Sequence, residues 1–309
     1  MKFALGLTFA IAVLVAWPFL IDQRFIIHIG VMIALFTTLS LSMNIMLRIG
    51  QLSMVHAAFM GLGAYGSALL MMRLSLPFWL AFLGSGLIVA VLAGLVGPIF
   101  LRIKGVYFVL LTFALSQVIV FNFIEWVDLF GGNNGLSGIP RPSIFGIVIR
   151  EPREYYFLAL ALAASSFVLV RAIYRSEWGV VIDAINEDEM LSRSLGVNAM
   201  AFRWILFCLS GFLAGLSGSV YAHYLTFLSP DAFSFLTVVD IILMNVLGGM
   251  ASPFGPVIGA IVLVPLPELL RNTAQYQTLA YGVLLLVLQL FLPDGIIGLV
   301  QRLRGARSP

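Results

Sequence analysis

The chain reads as a succession of long apolar stretches, with its charges gathered between them. Seven uncharged runs, at 3–21, 25–47, 50–72, 74–101, 105–124, 155–170 and 204–230, reach or approach the ~20 apolar residues that carry an α-helix across a bilayer. Three further segments follow at 235–249, 255–270 and 272–293. Together they predict an all-α, polytopic bundle of about ten crossings. Two of the segments are weaker. The one at 235–249 is short and contains Asp240 and Asn245, and the one at 50–72 is rich in Gly and Ser. Either one broken or re-entrant would lower the count toward eight, since irregular backbone is tolerated at membrane depth where protein buries it. The first run follows Lys2, but it is longer than a signal-peptide core and shows no Ala-x-Ala before Asp22, so it reads as a first membrane helix.

Orientation follows from Arg and Lys. With the N-terminus inside and alternating crossings, Lys2, Arg48, Arg102, Lys104, Arg171, Arg175, Arg193, Arg203, Arg302, Arg304 and Arg307 share the inner side. Arg24, Arg73, Arg141, Arg150, Arg153 and Arg271 take the outer side, a split of 11 against 6 among the 17. Both termini are then expected in the cytoplasm. The whole chain, 1–309, forms one membrane domain with an outer loop at 126–153 and an inner polar segment at about 174–202. Trp17, Trp79, Trp126 and Trp204 stand near run ends, where interfacial anchoring places them.

Composition agrees with the pattern. Charged residues make up only 10% of the chain and hydrophobic ones 61%, against roughly 25% charged in a soluble domain. The net charge of +3 belongs to the inward-facing loops, and no basic run with interleaved aromatics suggests nucleic acid. Cys208 is the single cysteine and has no disulfide or cluster partner. The chain has no Gly-x-x-x-x-Gly-Lys-[Ser/Thr] and no His-Glu-x-x-His, and His28, His56 and His223 are scattered. No catalytic, metal or cofactor site is therefore expected. Buried acids that could form an ion relay are also sparse, Asp240 being the clearest, so ion coupling has thin support.

Three groups of residues stand out. The first is the acidic stretch from Asp183 to Asn198, which contains Asn186, Glu187, Asp188, Glu189 and Arg193 and ends in Leu195-Gly196-Val197-Asn198. A charged helical island between two membrane runs is expected to touch something soluble, with Gly196 ending the helix in a left-handed conformation. The plainer reading is a solvated connection. The second is a set of glycines, Gly61, Gly63, Gly211, Gly215 and Gly218, at spacings that let helix backbones approach closely. The third is a scatter of polar residues inside the runs. Of these, Gln51, Ser53, His56, Tyr65, Thr112, Gln117, Asp240 and Asn245 are candidates for a translocation path, although interhelical hydrogen bonding is the commoner use.

Four motifs occur in order: Gly50-Gln51-Leu52-Ser53-Met54-Val55-His56-Ala57-Ala58-Phe59-Met60-Gly61-Leu62-Gly63-Ala64-Tyr65, Lys104-Gly105-Val106-Tyr107-Phe108, Gly131-Gly132-Asn133-Asn134-Gly135-Leu136-Ser137-Gly138-Ile139-Pro140, and Leu247-Gly248-Gly249-Met250-Ala251-Ser252-Pro253-Phe254-Gly255-Pro256. This pattern resembles the branched-chain amino-acid permeases of ATP-binding-cassette importers, and its outer loop resembles their LivM-type subunit. The resemblance implies half of a translocation pathway in a bacterial inner membrane, driven by two cytoplasmic LivG/LivF-type ATPases. It also implies a homologous LivH-type permease and an external substrate-binding protein. Related members carry urea, short amides or aromatic acids, so another small amino acid or carboxylate is an alternative substrate, and an ion-coupled secondary transporter is the alternative class. The family's ATPase-coupling segment falls on Asp183–Asn198, with a departure: the family commonly has Arg where this chain has Asp183 and Asn186.

Overall fold

The computed structural model describes residues 17–19, 23–144 and 147–269, with isolated positions between 279 and 298. The expected last crossing and both termini lie outside the described residues, as does nearly all of the first crossing. Ten helices carry the described chain: α1 (Arg24–Arg48), α2 (His56–Leu74), α3 (Phe78–Phe100), α4 (Val106–Glu125), α5 (Pro152–Arg175), α6 (Glu177–Glu187), α7 (Glu189–Ser194), α8 (Ala199–Leu225), α9 (Phe235–Gly248) and α10 (Phe254–Leu263). Single turns at Val127–Phe130 and Leu266–Leu269 and short 3₁₀ turns add to these. Among the described residues, seven helical segments are long and apolar enough to cross a membrane: α1, α2, α3, α4, α5, α8 and Pro230–Gly248, which contains α9.

Local chemistry sets the helix limits. Gly50 has φ +78° and leads into a buried, non-helical stretch, so the second crossing winds only from His56. Glu151 and Glu154 form a reciprocal capping box at the start of α5, with Pro152 in its first turn. The expected crossing at 255–270 is shorter than the sequence suggested. Its regular part, α10, is ten residues, about 15 Å long, because Pro265 supplies no N–H to continue the helical bonds after Val264.

α8 is the axis of the bundle and packs along α3, α2 and α1. Gly63 lies directly on the Gly215 backbone. A methyl group on Gly218 would overlap the Met60 carbonyl, and one on Gly215 would come within about 3 Å of Val89, Ser85 and Gly86. Gly211 faces Ala93, Phe59 and Val89, whereas Gly61 faces the rings of Phe123 and Phe233. Burial is inverted relative to a soluble protein. α4 buries one stripe, Phe108, Thr112, Ser116, Ile119 and Phe123, and turns apolar side chains such as Leu110, Val118 and Phe121 outward.

The ends of the bundle differ. At one end the last turn of α1, the α3–α4 turn and α6–α7 come together through Arg48, Lys104, Asp183 and Glu189. At the other, β1 (Leu136–Ser137) pairs antiparallel with β4 (Phe227–Leu228), and β2 (Ser143–Ile144) with β3 (Ile147–Val148). There the Arg73 guanidinium donates to the Asp128 carbonyl.

The seam on α8 makes a graded prediction. Gly218→Ala should separate α8 from α2 and cost about 1–3 kcal/mol, the usual penalty of overpacking. Gly66→Ala, where the nearest foreign atom to the added carbon is 3.7 Å away, should be tolerated. Thermal unfolding of the detergent-solubilised protein checks both. Equal melting temperatures would place the Gly218 face outside the packed core.

Candidate functional site

The segment between α5 and α8 is built from capping residues and ion pairs. Ser176 and the buried Gly179 turn the chain off the end of α5, since a side chain at Gly179 would strike the Tyr174 backbone. α6 then buries Ile182 and Ile185 against the bundle. Asp188 caps α7, its Oδ1 accepting from the backbone N–H of Met190 at 2.8 Å and of Leu191 at 3.0 Å. Gly196, at φ +88°, closes α7. Its N–H donates to the Arg193 carbonyl, and the Val197 N–H donates to the Ser192 carbonyl, the paired bonds of a Schellman ending. Asn198 caps α8 by accepting from the Ala201 N–H.

Two acids fasten this segment to the bundle. Asp183 accepts a fork from Arg48 at the end of α1, with Nε to Oδ1 and Nη2 to Oδ2 both at 2.7 Å. Glu189 sits among three cations. Arg203 of α8 donates to its Oε2 at 2.7 Å, Lys104 of the α3–α4 turn pairs with the same oxygen, and Arg193 lies 2.7 Å from Oε1 at an angle that makes an ion pair but no hydrogen bond. The Glu189 and Arg203 side chains are only 11% and 6% exposed. Burial by itself would raise the Glu189 carboxyl. The hydrogen bonds from Arg203 and Lys104, with their charges, outweigh it and hold the group at about 2 instead of 4.5.

The outer surface of the segment is apolar as well as acidic. Met190 is 84% exposed and Leu195 77%, with Leu191 and Val180 also open and Glu187 beside them. Of the residues singled out in sequence, Asp183 and Glu189 therefore turn toward their own chain, and Asn186 lies over Gly50. Asp188 and Gly196 shape α7, leaving Glu187 and Arg193 exposed. Sequence reasoning passed over the crest of Met190, Leu191 and Leu195, for which three apolar residues within an acidic helix were the available signal.

The polar residues within the helices do not converge on one place. Gln51, Ser53, His56 and Thr112 are buried at one junction, where the Met54 N–H donates to Thr112 Oγ1 and His56 Nδ1 lies 3.3 Å from the Ser53 carbonyl. Tyr65 is buried among Phe123, Phe130 and Phe233. Asn245 is buried against α1, whereas Gln117 stands on the exposed face of α4. Asp240 lines a cavity of about 210 Å³ with His28, Met32, Phe36 and Met244. No group of three metal-ligating side chains occurs among the described residues.

The Glu189 cluster makes a prediction with a defined sign. Because the folded group titrates below its unfolded value, its contribution is complete above about 4.5 and is lost as pH falls toward about 2. Proteolytic nicking within residues 186–198 should therefore rise across that acid range with an acid-active protease. Glu189→Gln should raise it at neutral pH, because Arg203 would be left buried without its counter-charge. Glu187→Gln, at an exposed position, should behave as wild type. Equal nicking in all three proteins would remove Glu189 as the anchor.

Comparison with known proteins places the chain. A family profile described as "Branched-chain amino acid transport system / permease component" matches residues 25–292, from the start of α1 to beyond α10. The chain is 29% identical over 315 residues to the high-affinity branched-chain amino acid transport system permease protein LivM of Salmonella typhimurium, covering 94% of this chain and 74% of that protein. It is likewise 29% identical over 311 residues to the LivM protein of Escherichia coli, covering 93% and 73%. A probable LivM protein of Methanocaldococcus jannaschii is 23% identical over 235 residues, covering 68% and 66%. No solved structure matches. With its membrane-length helices falling within one family match, this multi-pass membrane chain belongs to the permease components of the branched-chain amino acid transport systems.

Proposed function

We propose that the chain is one of two permease halves of an ATP-binding-cassette importer for branched-chain amino acids in a bacterial inner membrane. A homologous LivH-type permease supplies the other half. Two LivG/LivF-type ATPases bind from the cytoplasm, and an external binding protein delivers the substrate. The observation that carries the reading is the apolar crest of Met190, Leu191 and Leu195, exposed on a segment that ion pairs hold to α1, α8 and the α3–α4 turn. A merely solvated connection has no use for three open apolar side chains, whereas a protein groove does.

In this reading the Arg48 end faces the cytoplasm with both termini, and the chain crosses ten times. The 11-to-6 division of basic residues supports that orientation. The path runs between the two permeases. Gln117, a polar position on the open face of α4, and Asp240, at its cavity, are the path candidates not enclosed by this chain's own packing.

Two experiments test the reading. In the reconstituted importer, Met190→Asp with Leu195→Asp should remove ATPase copurification and binding-protein-stimulated ATP hydrolysis while membrane insertion stays normal. Wild-type stimulation in that variant would sink the docking assignment. These positions are cleaner probes than Glu189, whose reversal would first break the clamp. For orientation, in a Cys208→Ala background, a cysteine at Asn134 should react with an impermeant reagent from outside and one at Ser194 should not. Both positions are exposed, so the reverse labelling pattern would invert the topology.

A further inference from the structure

A line of polar contacts runs from the segment surface into the bundle and ends on α9. It begins with the Asp183–Arg48 fork at 2.7 Å. The Arg48 guanidinium lies 4.0 Å over the centroid of the Tyr174 ring. The Tyr174 hydroxyl donates to Asn44 Oδ1 at 2.8 Å. Asn44 Nδ2 donates to Asn245 Oδ1 at 3.0 Å and to the Met250 carbonyl at 3.1 Å, in the turn between α9 and α10. Asn245 Nδ2 faces the carbonyls of Ser40 and Ile241. Both amides are fully buried.

Backbone carbonyls fix the direction of every bond. A carbonyl only accepts, so the Asn245 nitrogen must face Ser40 and Ile241 and its oxygen must face Asn44. The Asn44 nitrogen is then committed to Asn245 and Met250. Its oxygen is left for Tyr174, which must donate. No member can flip its amide without stranding a buried polar group, at a cost of about 1–3 kcal/mol.

What the line holds is a rigid pair. A methyl group on Gly248 would overlap the Gly255 carbonyl, and one on Gly259 the Met244 carbonyl, so α9 and α10 touch backbone to backbone. The pair meets the described bundle mainly along α1, the helix that carries Ser40, Asn44 and Arg48. Asp240 and its cavity lie little more than one turn before Asn245 on the same helix. Directional bonds fail once displaced by about an ångström, whereas a cation over a ring tolerates sliding. The line is thus stiffest at its two ends, and its softest contact, Arg48 over Tyr174, stays tied to Asn44 because Arg48 and Asn44 stand about one turn apart on α1.

We infer that Asp183, Arg48, Tyr174 and Asn44 are positioning residues that transmit displacement of α6–α7 to the α9–α10 pair, so that α9 and the Asp240 cavity move with the cytoplasmic segment. This inference rests on the reading of α6–α7 as the ATPase-coupling element. None of the four belongs to the exposed crest, which separates transmission from docking.

The test has two arms. In the purified chain alone, Tyr174→Phe keeps the ring under Arg48 and removes only the bond to Asn44. Amide exchange over residues 244–251 should accelerate about two- to tenfold, the weight of one hydrogen bond, and Asp183→Asn should produce a smaller rise in the same peptide. Unchanged exchange in both would overturn the linkage without reference to any partner. In the complete importer, Tyr174→Phe should leave ATPase copurification intact and lower substrate taken up per ATP hydrolysed. Loss of folded protein alone would change amounts but not that ratio. An unchanged ratio beside accelerated exchange would overturn transmission while leaving the contacts in place. A wild-type chain that recruits no ATPase at all would instead defeat the coupling reading of α6–α7, and with it this inference.

Discussion

In lipid, apolar side chains give one helix no reason to leave the solvent for another, so a bundle depends on how closely its backbones can approach. α8 meets that constraint with Gly63 against Gly215, Gly218 against Met60 and Gly211 beside Ala93. Held at backbone distance from α2 and α3, α8 fixes whatever its two ends carry. At one end are Asn198, which caps it, and Arg203, which holds Glu189. At the other is His223. There the Ser219 hydroxyl donates to Ser67, so Ser67 donates to His223 Nε2, and the Nδ1 proton is left for the Pro140 carbonyl. The loop that follows Gly131 is thereby tied to the same glycine seam as the segment at the opposite end.

The distribution of polarity follows from the same solvent. Inside the membrane region the buried stripe of α4 carries Thr112 and Ser116 while its outer face is mostly apolar, with Gln117 and Asn122 among its exposed residues. The buried amides of Asn44 and Asn245 complete each other's bonds across two helices. Outside the membrane the segment of α6 and α7 mixes the two, burying Ile182 and Ile185 beside its ion-pair clamps and leaving Met190, Leu191 and Leu195 open among exposed charges. Open apolar side chains at membrane depth are solvated by lipid, so they carry no message there. The same side chains on Met190 and Leu195 are conspicuous only because they stand on a charged connection.

Much of this was legible in the sequence. The run at 25–47 became Arg24–Arg48 and that at 105–124 became Val106–Glu125, because a crossing is a property of consecutive residues that no packing detail can cancel. The role of the acidic segment was less legible. Asp183, Asp188, Glu187 and Glu189 are near neighbours of similar composition, yet one pairs with Arg48, one caps a helix, one is exposed and one lies within three cations. Those fates are decided by Arg48, Lys104 and Arg203, which lie far away in sequence or on another helix. The polar residues inside the helices were similarly opaque. Composition treats Gln117 and Thr112 alike, and only the rotation of α4 puts one on the outer face and the other against Met54.

Separating anchorage from docking has a physical logic. An exposed ion pair contributes little and is screened by salt, so charges on the outer face of α6–α7 would make a weak and variable attachment. Placed inward, Glu189 meets Arg203 and Lys104, whose bonds and charges outweigh the cost of its burial. Once Arg203 is 6% exposed, losing Glu189 strands a charge, so the segment is held by the cost of leaving rather than by the strength of attraction. That leaves the outer face free to be apolar, where shape and area decide what binds. Such a mount and such a surface suit the docking role proposed for this segment. Asp183 and Asn186 stand apart from the proposed docking face. Both look inward, toward Arg48 and Gly50, and Arg48 supplies the cation that Asp183 needs.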